Sequence, residues 1–323
     1  MLRILAIASA FLGLFSAARA ADAADSLRTW VSVDDISLRE LAAGKIATAN
    51  NASMNLARGM SCQAVFVVNA PLEMTHAKLL KFNPAKHPEL EVFQHRVFHD
   101  DKDSGFDKLL LDPKNKASAA LIRSMGDASA IQLGKREVPL MPRQRTAAAA
   151  QLFLSGILHE RWTRFSKAGD FGSVGTHDAG SEIRSLLAEE PRVARHFGPL
   201  LAPLAPRGAP GTPKYSYWDL SVVDKKAAVQ LGAVYGVEMP DRRQVLDVTW
   251  YSSNGYLVSI TLYELLPFTL DGKARTLVWQ GSLVSTTGIE GGLGIKRKIG
   301  SHMMLSDTEK WIRIFRAEVQ GAH

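Results

Sequence analysis

A single carboxylate on an apolar strand face is the residue of this chain whose type and position most invite chemistry. Between Tyr256 and Leu266 the residues alternate, so that Val258, Ile260, Leu262, Glu264 and Leu266 share one face. If that face lines a cavity, Glu264 could hold the polar head of a ligand, or keep a raised pKa suited to acid or base work. The reading favoured by its place near the strand end is that Glu264 reaches water beyond the core. Trp250, Tyr251, Tyr263 and Trp279 carry a similar pair of readings, mostly core and cross-strand packing, with some lining a pocket. Glu264, Trp250, Tyr263 and Trp279 are therefore the candidate ligand-binding residues, and no catalytic residue is assigned.

Other reactive residue types fall short of a motif. His95 and His99 precede Asp100 and Asp101, and positions i and i+4 share a strand face. They stand roughly 13 Å apart at about 3.3 Å per residue, too far for one metal ion without a bend. His159-Glu160 would need a second histidine at position 163 to bind zinc as in the zincins, and Thr163 stands there. The loop Gly288 to Gly294 is rich in glycine, yet Gly294 is followed by Ile295 and Lys296 and not by the Lys-Ser/Thr of a phosphate loop. It reads as a surface loop or as a gate over a cavity. No Gly-x-Ser-x-Gly elbow is present. Cys62, the one cysteine, has no partner for an intramolecular disulfide and reads as a small core residue. No metal and no cofactor are expected.

The elements that must position these residues change character along the chain. Cys62 to Val68 is a strand stopped by Asn69-Ala70-Pro71. Pro71 suits a helix start, and Leu72, Leu79 and Leu80 fall on one helical face. A second strand is expected from about Leu90 to His99. Residues 104 to 201 read as helical, with Leu154, Leu158, Trp162 and Phe165 on one face and a further helix starting at Pro191. Ala202 to Pro213 holds four prolines and two glycines and reads as a connector. Five strands follow, near 215–223, 229–237, 244–251, 256–266 and 276–286. Asn254-Gly255 marks a hairpin between the third and fourth of them. Ser306 and Glu309 form a capping-box pair ahead of Trp311, Phe315 and Val319, which predicts a closing amphipathic helix beginning there or earlier, near His302.

That order of elements is an α+β pattern. Val67-Val68-Asn69-Ala70-Pro71 followed at once by a helix, the segment Leu41 to Ile46 as a leading strand, and Val278 to Thr286 followed by a Gly-rich loop and a helix together resemble the helix-grip superfamily of START-type lipid-transfer proteins and polyketide cyclases. The resemblance implies a curved seven-stranded antiparallel sheet gripping a long C-terminal helix around an apolar cavity. Here a helical insertion of about 104–205 stands between the second and third strands, with the connector 202–213 at its end.

The N-terminus sets the compartment. Arg3, the uncharged apolar run Ile4 to Phe15 and Ala18-Arg19-Ala20 are ordered as a secretory signal peptide cleaved after Ala20. The expected product is a single soluble domain from residue 21, periplasmic or secreted, with no membrane anchor. The chain carries 39 Lys and Arg against 32 Asp and Glu, a net charge of +7, which becomes +5 without Arg3 and Arg19. These charges are scattered apart from Lys296-Arg297-Lys298, which argues against nucleic acid as a partner. The function expected is capture of a small apolar or amphipathic, lipid-like ligand. The alternatives are a scaffold for an envelope protein partner and an enzyme of the cyclase or hydrolase kind.

Overall fold

The computed structural model describes residues 23–31, 33, 37–51, 54–204, 212–223, 225–290 and 295–321. The signal-peptide segment Met1 to Ala20 and most of the Pro/Gly connector lie outside the described residues.

The fold is α+β, built on one large antiparallel sheet and a long C-terminal helix. The strands in chain order are β1 (Ala47–Asn51), β2 (Gly59–Val68), β3 (Val92–Phe98), the two-residue β4 (Ser173–Val174) and β5 (His177–Asp178), β6 (Tyr215–Val223), β7 (Lys226–Met239), β8 (Arg242–Ser252), β9 (Val258–Leu270) and β10 (Lys273–Ser285). Eight of them form the main sheet in the order β1-β2-β10-β9-β8-β7-β6-β3, while β4 and β5 pair with each other. Strands β6 to β10 run as successive antiparallel neighbours. Asp271 and Gly272, with φ of 52° and 73°, make the tight turn between β9 and β10 that two positive φ values permit. Gly255 (φ 87°) lies in the β8–β9 connection, where an added Cβ would sit 2.4 Å from Val223 Cγ1.

The sheet has one strand more than the seven expected, because β1 adds to the outer edge of β2. The expected leading strand Leu41 to Ile46 is not where β1 lies. Leu38–Ala42 is a short helix whose N-cap, Ser37, accepts a hydrogen bond from the Glu40 backbone N–H, and the strand begins only at Ala47. Ser37 with Glu40 is a capping pair of the S-x-x-E kind, which turns this segment helical. The C-terminal helix, Ile295–Gln320, likewise starts well before Ser306, so the pair Ser306 and Glu309 lies inside it and caps nothing.

Helices cover both faces of the sheet. On one face Ala64, Phe66, Val68, Val245, Leu265 and Val278 pack with Ile312, Phe315 and Val319 of the C-terminal helix and with Leu72 and Leu79 of the helix Leu72–Leu80. On the other, the insertion applies Leu154, Leu158, Phe165, Ile183, Leu186 and Phe197 to a core that includes Leu246, Val248, Trp250, Ile260, Leu262 and Trp279. The longest insertion helix, Ala147–Ala168, is capped by Thr146, whose hydroxyl accepts from Ala149 N–H, and ends at Gly169 with φ 64°.

Buried ion pairs fasten the insertion in place. Glu182 takes two hydrogen bonds from Arg58, at 2.7 and 2.6 Å, and one from the Ser285 hydroxyl at 2.7 Å. Arg161 donates to Glu137 at 2.6 Å and stacks over the Tyr251 ring at 4.0 Å. The inserted helices thus occupy the sheet face opposite the C-terminal helix. No helix among the described residues is long and apolar enough to cross a membrane.

Candidate ligand cavity

The strand period places two chemistries back to back. In β9, Ile260 and Leu262 point into the insertion core, while the intervening Ser259, Thr261 and Tyr263 point toward the C-terminal helix. In β10 the same alternation puts Leu277, Trp279 and Leu283 on the insertion side and Gln280, Ser282 and Val284 on the helix side. Register carries this polarity across the sheet: Cys62, Ser282, Thr261 and Asp247 are consecutive cross-strand partners. Polar side chains therefore occupy a sheet face that the C-terminal helix covers.

Between that face and the first half of the C-terminal helix lies a cavity of about 600 Å³. Its floor is polar, with Asp247, Thr261, Tyr263, Gln280 and Ser282. Toward the helix and the Gly288 loop it is lined by Met60, Ile289, Ile299, Met303 and Met304, with Lys296, Asp307 and Thr308 of the helix among them. Of the Gly-rich loop, Gly288 and Ile289 line the cavity, while 291–294 lie outside the described residues. Gly300 brings the helix close to β2, since an added Cβ would sit 2.5 Å from Met60 Sδ. Gln280 is 5 % exposed and its Oε1 has no hydrogen-bond partner. Tyr263 is 7 % exposed.

A smaller chamber of about 120 Å³ adjoins it and shares Asp247, Tyr263 and Trp311 as walls. Its polar groups are tied to one another. His95 Nδ1 lies 2.7 Å from Asp219 Oδ1 across the β3–β6 pair. The Tyr217 hydroxyl donates to Asp247 Oδ1 at 2.7 Å and lies 2.8 Å from Thr249 Oγ1. At the larger cavity, Gln230 donates to the Tyr256 hydroxyl at 2.6 Å.

Burial pushes the Asp247 carboxyl up to about 6; the Tyr217 hydrogen bond opposes the shift, the Asp219 charge adds to it, and the nearby His95 opposes it. By surface Asp247 is only half-buried, because its open side is the cavity wall. Burial disfavours the protonated form of His95, but the hydrogen bond and charge of Asp219 outweigh it and hold the imidazole above its ordinary value. Tyr217 and Tyr263 are pushed well above the usual phenol range by burial and by Asp247, so both remain neutral donors.

Of the four residues singled out in the sequence, Tyr263 alone lines the cavity. Glu264 is fully buried on the opposite face, where it accepts from Gln244 Nε2 at 2.8 Å and Arg242 Nη1 at 3.2 Å. His196 Nε2 lies 3.3 Å away, at an angle that makes no hydrogen bond. The expected solvated strand end is not there: β9 continues to Leu270, and the insertion's helix Pro191–His196 ends over this position. Trp279 packs against Trp30 and Phe197, and Trp250 stacks on Phe165 at 4.2 Å, both on the insertion side.

His95 is paired with Asp219 and not with His99, whose backbone N–H donates to Asp103. His159 reaches Asp101 at 3.2 Å on the surface. Among the described residues no group of three or more His, Cys, Asp or Glu could hold a metal ion. The sequence offers His95 only beside His99, and it does not single out Tyr217, Asp219 or Asp247. Their available signal was the alternation Tyr215, Tyr217, Asp219 on one face of β6, which on its own reads as an outward polar face.

The chain matches no family model, no curated protein and no solved structure. Its function has to be argued from the cavity.

Proposed function

We propose that this protein is an exported binding protein that holds one small amphipathic or apolar, lipid-like molecule between the sheet and the C-terminal helix, in a curved helix-grip arrangement similar to that of the START-type superfamily. The observation that carries this reading is the cavity of about 600 Å³ with a polar floor on the sheet and methionine and isoleucine side chains opposite it. Ligand sites commonly span about 300–1,000 Å³ and combine apolar walls with a few converging polar groups.

The orphan Gln280 Oε1 and the Tyr263 hydroxyl supply such groups on the floor. A buried polar atom without a partner is destabilising unless a ligand or water satisfies it. Met60, Met303 and Met304 in the cavity wall are flexible, polarisable side chains that mould to an alkyl or ring system. Ile295 and Ile299, 66 % and 57 % exposed, extend this apolar surface outward along the helix. The ligand's polar end would lie on the floor and its apolar end toward the helix and the Gly288 loop.

Native mass spectrometry of protein purified from its own host tests this directly. The expected spectrum has a released small molecule that competes with the neutral dye Nile red. A ligand-free mass together with no Nile red binding would overturn the reading.

A further inference from the structure

The smaller chamber is bordered by five aromatic side chains, Phe82, Tyr215, Tyr217, Tyr263 and Trp311, and by the carboxylates of Asp219 and Asp247. Its charge is not balanced from within. Asp219 has His95 as its partner at 2.7 Å, whereas Asp247 is held only by the Tyr217 hydroxyl and lies in no ion pair with a described residue. Among the described residues Lys296 is the only Lys or Arg lining either space, and it sits on the helix at the larger cavity. With Asp247 ionised, the chamber is therefore net negative whether or not His95 is protonated. A buried carboxylate without a cation is destabilising, and aromatic faces attract cations by their quadrupole. Tyr263 is nine-tenths buried and lines both spaces.

We infer that the chamber is a subsite for the ammonium head of an amphipathic ligand, with Asp247 as its counter-ion and the aromatic side chains as its walls, while the tail occupies the larger cavity. This rests on the cavity reading above. An anionic head would meet two carboxylates and no guanidinium or ammonium group. An uncharged head would leave Asp247 uncompensated. The volume of about 120 Å³ admits a compact head and no chain. The ionisation of Asp247 with an apparent pKa of about 6 leaves the counter-ion charged at neutral pH.

Three detergents with the same dodecyl tail separate this inference from the reading beneath it. Calorimetric titration below the micellar range, at pH 7.5, compares dodecyltrimethylammonium, dodecyl maltoside and dodecyl sulfate. The expected result is that the cation binds at least about tenfold more tightly than the maltoside, about 1.4 kcal/mol, and that the sulfate binds more weakly still. The chain's net charge of +7 would favour the opposite order for adventitious binding. Asp247→Asn should abolish the difference in affinity between the cation and the maltoside, and a cooperative thermal unfolding transition reports that the variant is folded. Equal affinities for all three, or an Asp247→Asn variant that keeps the preference, would overturn the ammonium subsite alone. Failure of all three to bind would overturn the cavity reading with it. Dodecylammonium as a fourth probe tells a methylated from a primary ammonium head: a preference for either over the maltoside supports the inference.

Discussion

Tyr217 lies across Gly232 on the neighbouring strand and delivers its hydroxyl to Asp247 at 2.7 Å, one strand further on. The reach depends on the missing side chain: a Cβ on residue 232 would sit 2.4 Å from Tyr217 Cζ. A carboxylate in the middle of a sheet is thereby given a neutral donor and no cation.

Gly232→Ala should displace the Tyr217 ring and destabilise the protein by about 1–3 kcal/mol, the usual range for overpacking. Tyr217→Phe removes the donor without the clash. It should push the Asp247 carboxyl higher still, since Tyr217's hydrogen bond is the main influence opposing burial. Urea unfolding checks the first and a carboxyl carbon NMR titration the second.

Asp247→Asn should stabilise the unliganded protein at neutral pH. The folded-state value of about 6 lies above the roughly 3.9 of an unfolded aspartate. The folded state therefore holds more protons between these values, and Asp247's contribution to stability is full below about 4 and lost as pH rises through about 6. The difference between variant and wild type should grow over that window and then level off, at about 1–3 kcal/mol. Unfolding free energies at four pH values test it, and a difference that does not change with pH would contradict it.

The His95–Asp219 pair has the same sign from the opposite charge type. A histidine held above its ordinary value contributes stability that is present below about 6.5 and lost as pH rises through its folded value. Asp219→Asn should therefore destabilise more at pH 5.5 than at pH 9. It should also lower the His95 titration midpoint, which imidazole NMR signals report.

Glu264 is expected to matter for stability and not for ligand preference. Removing one partner of a fully buried pair destabilises by roughly 3–5 kcal/mol, but Arg242 keeps Asp241 at 2.7 Å and is partly exposed. Glu264→Ala should thus lower stability by about 2 kcal/mol, with dodecyl maltoside affinity unchanged.

Much of the fold was legible. The alternation of β9 and β10, the Asn254-Gly255 hairpin and the Trp311, Phe315, Val319 stripe each depend on local pattern, and each element is present, although β9 runs on to Leu270 and the helix starts at Ile295. Which face of the sheet was interior was not legible, because both are covered: an apolar face by the insertion and a face of mixed polar and apolar residues by the C-terminal helix. That is why Glu264 stood out among apolar neighbours while Asp247, in a row of polar ones, did not. His95 and Asp219 are 124 residues apart and meet only through β3–β6 pairing, which no local spacing encodes.

Ammonium binding should depend on pH through the groups facing Asp247. These are Tyr217 and Asp219 of β6, His95 of β3, Tyr263 and Thr261 of β9, and Asp307 and Lys296 of the C-terminal helix at the larger cavity. Affinity for dodecyltrimethylammonium should fall as pH drops through about 6, where Asp247 takes up its proton, and protonation of His95 acts in the same direction. Affinity for dodecyl maltoside should stay level.

The most direct measurement of where a ligand lies is photolabelling with a dodecyl probe that carries a diazirine near its tail end, followed by peptide mapping. Occupation of the cavity predicts label on 295–311 and 280–290, around Met303, Met304 and Ile289, competed away by unlabelled ligand. Label concentrated on the insertion helices, or label that no competitor displaces, would contradict it.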